Sequence, residues 1–164
     1  MNKQANRNYV SNDDINTPEY LCEKIIKHFI PTGKILEPCK GSGNFLKFLP
    51  ENTYWCEIKE NRDFFDFLQK INWIITNPPW SQMRKFLQHS LSLSKNVVFL
   101  MTINHLWTKA RLRDIKEADF GIREIIMVDT PTTFPPLGFQ VGVIHLQKYY
   151  SGDIYLTDWT TTKY

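Results

Sequence analysis

Six short apolar runs punctuate the chain, at Lys34–Glu37, Tyr54–Ile58, Trp73–Thr76, Asn96–Thr102, Ile122–Asp129 and Val141–Gln147. Several are continuous rather than alternating, the pattern of strands covered on both faces, as in a parallel sheet. Between them, apolar residues recur at helical spacing. Leu21, Cys22, Ile25, Ile26 and Phe29 form one stripe, with Thr17 as the expected cap, Pro18 at the first helical position, and Pro31 and Gly33 as the stop. Met83, Phe86, Leu87 and Leu91 mark a second helix over Ser81–Ser94, with Ser81 as its N-cap. Further helices are expected at Asn44–Leu49 and Lys109–Asp119, and only a short helical turn around Phe64–Lys70. This alternation predicts an α/β fold: a mostly parallel sheet with helices on both faces. The last two strands are joined by "TPTTFPPLGFQ" with no helix, which suits an antiparallel pair at the sheet edge.

The length of 164 residues fits one domain with a real core, with no internal repeat or long linker. A hydrophobic share of 42% and a charged share of 23% are those of an ordinary globule, which excludes a disordered chain. There is no basic, apolar leader and no long apolar stretch, so an intracellular, cytoplasmic protein outside the membrane is expected. Residues 1–14 are polar and read as flexible, or ordered only by a ligand. Cys22, Cys39 and Cys56 form no CxxC pair and are expected to be buried, reduced thiols. The histidines lack metal-ligand spacing and no serine or cysteine triad is visible, so no metal is expected. A formal charge of +3 is compatible with a nucleic-acid partner without being diagnostic of one.

Two stretches carry candidate chemistry. In "WIITNPPWSQ", an apolar strand runs into Asn77, Pro78, Pro79 and Trp80. The prolines cannot donate to a ladder, so the strand ends there, and their fixed φ aims the neighbouring carbonyls rigidly. Such a turn at the carboxyl end of a parallel strand is where open α/β sheets keep their chemistry, although the same residues also serve as a loop that only punctuates a βα unit. In "ILEPCKGSGNF", a strand ends at Glu37 and Pro38, and Gly41 and Gly43 flank Ser42. Glycines there let the backbone approach a ligand, or simply make a tight turn. The acid at Glu37 favours a cationic ligand over a diphosphate. Glu57, ending the next strand, stands where an acid can chelate a ribose diol.

The blocks "NTPEYL", "LEPCKGSGNF", "CEIKENRDFF" and "NPPW", in that order, resemble the gamma arrangement of adenine-N6 DNA methyltransferases, within the class I S-adenosylmethionine-dependent methyltransferases. The similarity spans most of residues 15 to 147 and implies a compact Rossmann-like fold with S-adenosyl-L-methionine as cofactor. It implies that Thr17 and Pro18 lie against the methionine end, and that Glu37, Pro38, Gly41, Ser42, Gly43 and Phe45 surround the amino acid and sulfonium. Glu57 and Ile58 would flank the ribose, and Asp63 and Phe64 the adenine. Asn77, Pro78, Pro79 and Trp80 would form the catalytic turn, with Asn77 also beside the cofactor. Asn77 and the Pro78 carbonyl would grip both hydrogens of an aromatic amine, and Trp80 would stack on the base.

The chain departs from that family in three respects. A separate target-recognition domain is not expected, so sequence-specific DNA binding is not expected of this chain, and a homo-oligomer or a partner subunit is a candidate association. The span from Glu57 to Asn77 leaves little room for a full helix and third strand. Lys40 occupies the glycine turn, where a cation suits a sulfonium only if it points away. His105 and Trp107, and Phe134 or Phe139, are further candidates for substrate contact, while Lys109, Arg111, Arg113 and Lys116 on one helix could meet phosphates or form a solvated face. The favoured expectation is methyl transfer to an exocyclic amine of a nucleic-acid base, adenine N6 in DNA first. The alternatives are a protein glutamine amide, or a cofactor-binding subunit of a larger enzyme.

Overall fold

The computed structural model describes residues 13–161. Residues 1–12, most of the segment expected to be flexible, lie outside them; Asp13 and Asp14 are held by side-chain bonds. Seven strands make one sheet: β1 (Ile35–Glu37), β2 (Tyr54–Trp55), β3 (Trp73–Thr76), β4 (Asn96–Thr102), β5 (Phe120–Met127), β6 (Val141–Lys148) and β7 (Tyr155–Asp158), in the order β2-β1-β3-β4-β6-β5-β7. The first four are parallel, β6 runs antiparallel to β4 and β5, and β7 is parallel to β5.

Helix α1 (Glu19–Phe29) covers one face, and α2 (Met83–Leu93) and α3 (Lys109–Glu117) cover the other. Strand β4 shows why its sequence is continuously apolar. Val97, Phe99 and Met101 point into the α2 side, and Val98 and Leu100 into the α1 side. Both faces are dry, so neither tolerates the polar half of an alternating strand.

Several local expectations are corrected. Asn44–Leu49 is a series of turns, not a helix: Lys47 N–H bonds back to Gly43, but Phe48 bonds only to Phe45. Six residues between Gly43 and Pro50 cannot recover the cost of helix nucleation, and burial of Phe45 and Leu49 holds the segment instead. Thr17 does not cap α1; Pro18 precedes it, and Thr17 Oγ1 is buried without a partner among the described residues. Ser81 lies inside a 3₁₀ turn, Trp80–Gln82, that runs into α2. Strand β2 stops at Trp55, because Glu57 already pairs backward with Arg62.

No strand forms between β2 and β3, as the short span foretold; two 3₁₀ turns, Ile58–Glu60 and Phe64–Asp66, fill it. The antiparallel pair β5–β6 is present, with β7 added outside it. The "YLTD" of β7 carries no burial signal. It is held by tertiary contacts, a Thr157 hydroxyl donating to Glu124 (2.6 Å) and a Trp159 N–H donating to Met127 (2.9 Å). Cys22 and Cys56 are buried, Cys39 is half-buried, and all three are free. Among the described residues no helix is long and apolar enough to cross a membrane.

Candidate functional site: a cavity at the carboxyl ends of the parallel strands

A cavity of about 830 Å³ opens where β1, β2 and β3 end. That volume falls within the range of small-molecule sites. Of the residues expected from sequence, Thr17, Pro38, Gly41, Ser42, Phe45, Glu57, Ile58, Asp63, Phe64, Asn77 and Pro79 line it. Pro18, Glu37, Gly43, Pro78 and Trp80 are chain neighbours of its lining residues but do not line it, and neither do His105, Trp107, Phe134 and Phe139.

The glycine turn forms one side. Gly41 has φ 52° and donates its N–H to Glu57 Oε2 at 2.8 Å; Ser42 N–H donates to Asn16 Oδ1 at 3.0 Å. Lys40 also lines the cavity, but its ammonium donates to Glu60 at 2.5 Å and stands 4.3 Å over the Trp55 ring. The unfavourable cation is thereby neutralised at the sheet edge. Glu57 also accepts from Lys59 N–H at 3.1 Å, so two backbone bonds aim its carboxylate. A carboxylate offers about four lone-pair sites, which leaves capacity for a diol.

Opposite, Asp63 accepts from Phe65 N–H at 2.9 Å and caps the turn that carries Phe64. Phe64 stacks on Phe86 at 5.1 Å and meets the edge of His89 at 4.6 Å. His89 Nε2 lies 3.1 and 3.0 Å from the Phe64 and Phe67 carbonyls, so that nitrogen carries the proton. Phe86, His89 and Lys85 of α2 also line the cavity, and sequence reasoning treated that helix only as core packing. Asp13–Asn16 line it as well, without any local periodicity to announce them.

At the third side, Asn77 Nδ2 donates to the Ile15 carbonyl at 3.3 Å, which leaves Oδ1 as the amide's acceptor. Trp80 donates its indole N–H to Leu100 O at 3.3 Å and packs edge-on to Phe134 at 5.9 Å, with His105 at 6.4 Å. Phe134 is buried, whereas Trp107 and Phe139 are 51% and 61% exposed. Their two loops are tied by Ile103 N–H to Gln140 O at 2.8 Å. Burial, then the Arg111 charge, lowers the His105 pKa below the usual histidine value, and His105 Nδ1 has no partner among the described residues.

Glu37 is fully buried beneath the glycine turn. Its Oε1 accepts from Cys39 N–H at 2.8 Å; its Oε2 lacks a hydrogen bond, although the Thr76 hydroxyl nearby favours the charge. Burial, with Glu57 adding to it, pushes the carboxyl up to about 8. The folded protein thus keeps a proton that the unfolded chain loses above about 4.5, and stability contributed by that group falls between those values. We expect the Glu37→Gln variant to lose less stability than wild type between pH 5 and 8, with a difference in slope approaching about 1.4 kcal/mol per pH unit. Urea unfolding across that range checks it; parallel pH dependences would refute the protonated carboxyl.

No family profile matches the chain, and no curated protein matches it in sequence. Solved structures do match. The M protein of the EcoKI type I restriction enzyme superposes with a TM-score of 0.67 at 14% identity, over 89% of this chain and 48% of that one. The present chain therefore spans about half the length of that protein. A protein from Listeria monocytogenes, described as a class I S-adenosylmethionine-dependent methyltransferase, gives 0.62 at 13% identity, over 93% and 68%. One from Pyrococcus horikoshii, described as an RNA methyltransferase, gives 0.61 at 14% identity, over 83% and 87%. The chain has the fold of the class I S-adenosylmethionine-dependent methyltransferases.

Proposed function

We propose that this protein transfers a methyl group from S-adenosyl-L-methionine to an exocyclic amine of a nucleic-acid base, adenine N6 in DNA foremost. The observation that carries the reading is the Asn77-Pro78-Pro79-Trp80 turn, whose Asn77 and Pro79 line the cavity, with the Asn77 NH₂ engaged by the Ile15 carbonyl. The cavity suits the cofactor: a strand-end carboxylate for a ribose diol, an aromatic wall at Phe64, and a glycine turn for close backbone approach.

When bound, S-adenosyl-L-methionine supplies a methyl already activated by its sulfonium. The chain's residues then have to position an acceptor. An aromatic amine is a weak nucleophile because its lone pair is delocalised into the ring. The Asn77 oxygen and the Pro78 carbonyl, accepting both amine hydrogens, favour a pyramidal nitrogen with its lone pair directed at the methyl, and the prolines set those acceptors before the substrate arrives. Trp80 offers a stacking partner, held by its bond to Leu100. Exposed Trp107 and Phe139 on adjoining loops, with the cations of α3 nearby in sequence, suit a single strand better than a narrow amide slot. Two structural neighbours carry names that tie them to nucleic acid, a restriction-enzyme M protein and an RNA methyltransferase.

Replacing Glu57 with Ala is expected to weaken S-adenosyl-L-methionine binding by about 1.5–3 kcal/mol in calorimetry, the range for hydrogen bonds to a charged group. Unchanged affinity would remove the ribose role.

In Asn77→Ala, cofactor affinity should stay near wild type while turnover falls about a hundredfold or more. Labelled methyl offered to DNA, RNA and protein panels should appear on adenine N6, faster in unpaired strands, where the base need not be extruded at a cost of a few kcal/mol. Trp80→Ala should slow that transfer. Methyl on a protein glutamine, or a duplex preferred over its own single strands, would overturn the assignment.

A further inference from the structure

We infer that Asp13–Asn16 forms a positioning strap that links the cofactor cavity to the substrate turn, with Asp13 as its anchor; the inference rests on the methyltransferase reading above. Each of the four residues bonds a different part of the site. Asp13 accepts from the Ser81 N–H at 3.3 Å and from the Ser81 hydroxyl. Asp14 accepts from Lys59 Nζ at 2.7 Å, the Ile15 carbonyl from Asn77 Nδ2 at 3.3 Å, and Asn16 Oδ1 from Ser42 N–H at 3.0 Å. All four also line the cavity.

Three features assign the strap a role in positioning. The Ser81 N–H is an open donor at the start of a helical run, and neither the 3₁₀ turn nor α2 has a side-chain cap of its own, so Asp13 serves as a cap delivered from 68 residues away. The Asp14–Lys59 pair is an exposed ion pair and adds little, whereas Asp13 makes two bonds to one residue at an otherwise uncapped helix start, which marks it as the anchor. Gly41 independently records the strap's closure: a Cβ there would meet Asn16 Oδ1 at 2.5 Å, so the glycine accommodates the strap as well as a positive φ.

The chemical consequence lies at Asn77. An amide can present either its oxygen or its NH₂ to the acceptor. The Ile15 carbonyl takes the NH₂, so the oxygen is left for an amine; with the strap released, the reversed amide would oppose the amine hydrogens. The same strap walls the cavity and retains what is bound there.

The test compares wild type, Asp13→Ala, Asp13→Asn and the Asp13→Ala/Asn77→Ala double variant, each shown folded by circular dichroism. Hydrogen exchange at the Ser81 amide should accelerate about tenfold in Asp13→Ala and much less in Asp13→Asn, whose oxygen still accepts. Turnover on single-stranded DNA should fall about tenfold in Asp13→Ala with acceptor KM little changed, and should not fall further when Asp13→Ala is added to Asn77→Ala. S-adenosyl-L-methionine should dissociate about tenfold faster from Asp13→Ala in stopped flow, with or without Asn77. Unchanged Ser81 exchange, or turnover losses that multiply in the double variant, would overturn the strap. A wild type that shows the protected amide yet binds no S-adenosyl-L-methionine would instead overturn the methyltransferase reading, and the strap's catalytic role with it.

Discussion

Strands β1, β3 and β4 are apolar on both faces, so polar groups have room only where those strands end. A parallel sheet with two covered faces therefore gathers its hydrogen-bonding side chains at one rim, and the rest of the molecule follows from that constraint. Glu37, Thr76 and Thr102 stand at the ends of β1, β3 and β4, buried and incompletely bonded among the described residues. Glu57 stands just past β2, with backbone donors from two loops on its carboxylate. The cavity is the space between these ends that packing leaves open.

The rim is electrostatically sorted. Glu37 is fully buried and holds its proton to an unusually high pH, whereas Glu57 is half-buried and bonded by backbone N–H groups. Two acids of one rim thus sit in different surroundings, one sealed in the core and one open to the cavity. Lys40 shows the same sorting for a cation. Its position in the glycine turn looks unfavourable, yet its bond to Glu60 and its place over Trp55 direct it to the sheet edge. Arg62 also lies over Trp55, at 3.7 Å, so two cations share one ring of the edge strand β2.

The aromatic side of the rim is built differently. Trp80 contacts both cores and is fixed at its indole N–H, and Phe134 meets it edge-on from the loop between β5 and β6. Trp107 and Phe139 are the exposed aromatics of that rim. The inner rings are thus fixed by packing and the outer two stand in solvent. His105 lies close to the inner ring, its pKa lowered by burial and the Arg111 charge, and so contributes shape rather than charge at neutral pH.

The sequence by itself determined the elements whose cause is local. Continuous apolar runs marked the first six strands, helical stripes marked α1 and α2, and Pro78-Pro79 marked the end of β3, since burial on two faces and missing N–H groups are written in consecutive residues. The order of short motifs pointed to the fold, and eleven expected site residues line the cavity. Tertiary structure decided what depends on partners distant in the chain. Strand β7 exists through Glu124 and Met127, the expected helix at Asn44–Leu49 yields to burial of Phe45 and Leu49, and Ser81 is capped by Asp13 instead of capping its own helix. Lys40 could be judged only once Glu60 and Trp55 stood beside it. Local pattern encodes which faces are dry; hydrogen bonds that cross some sixty residues arise only when the folded core brings their donors and acceptors together.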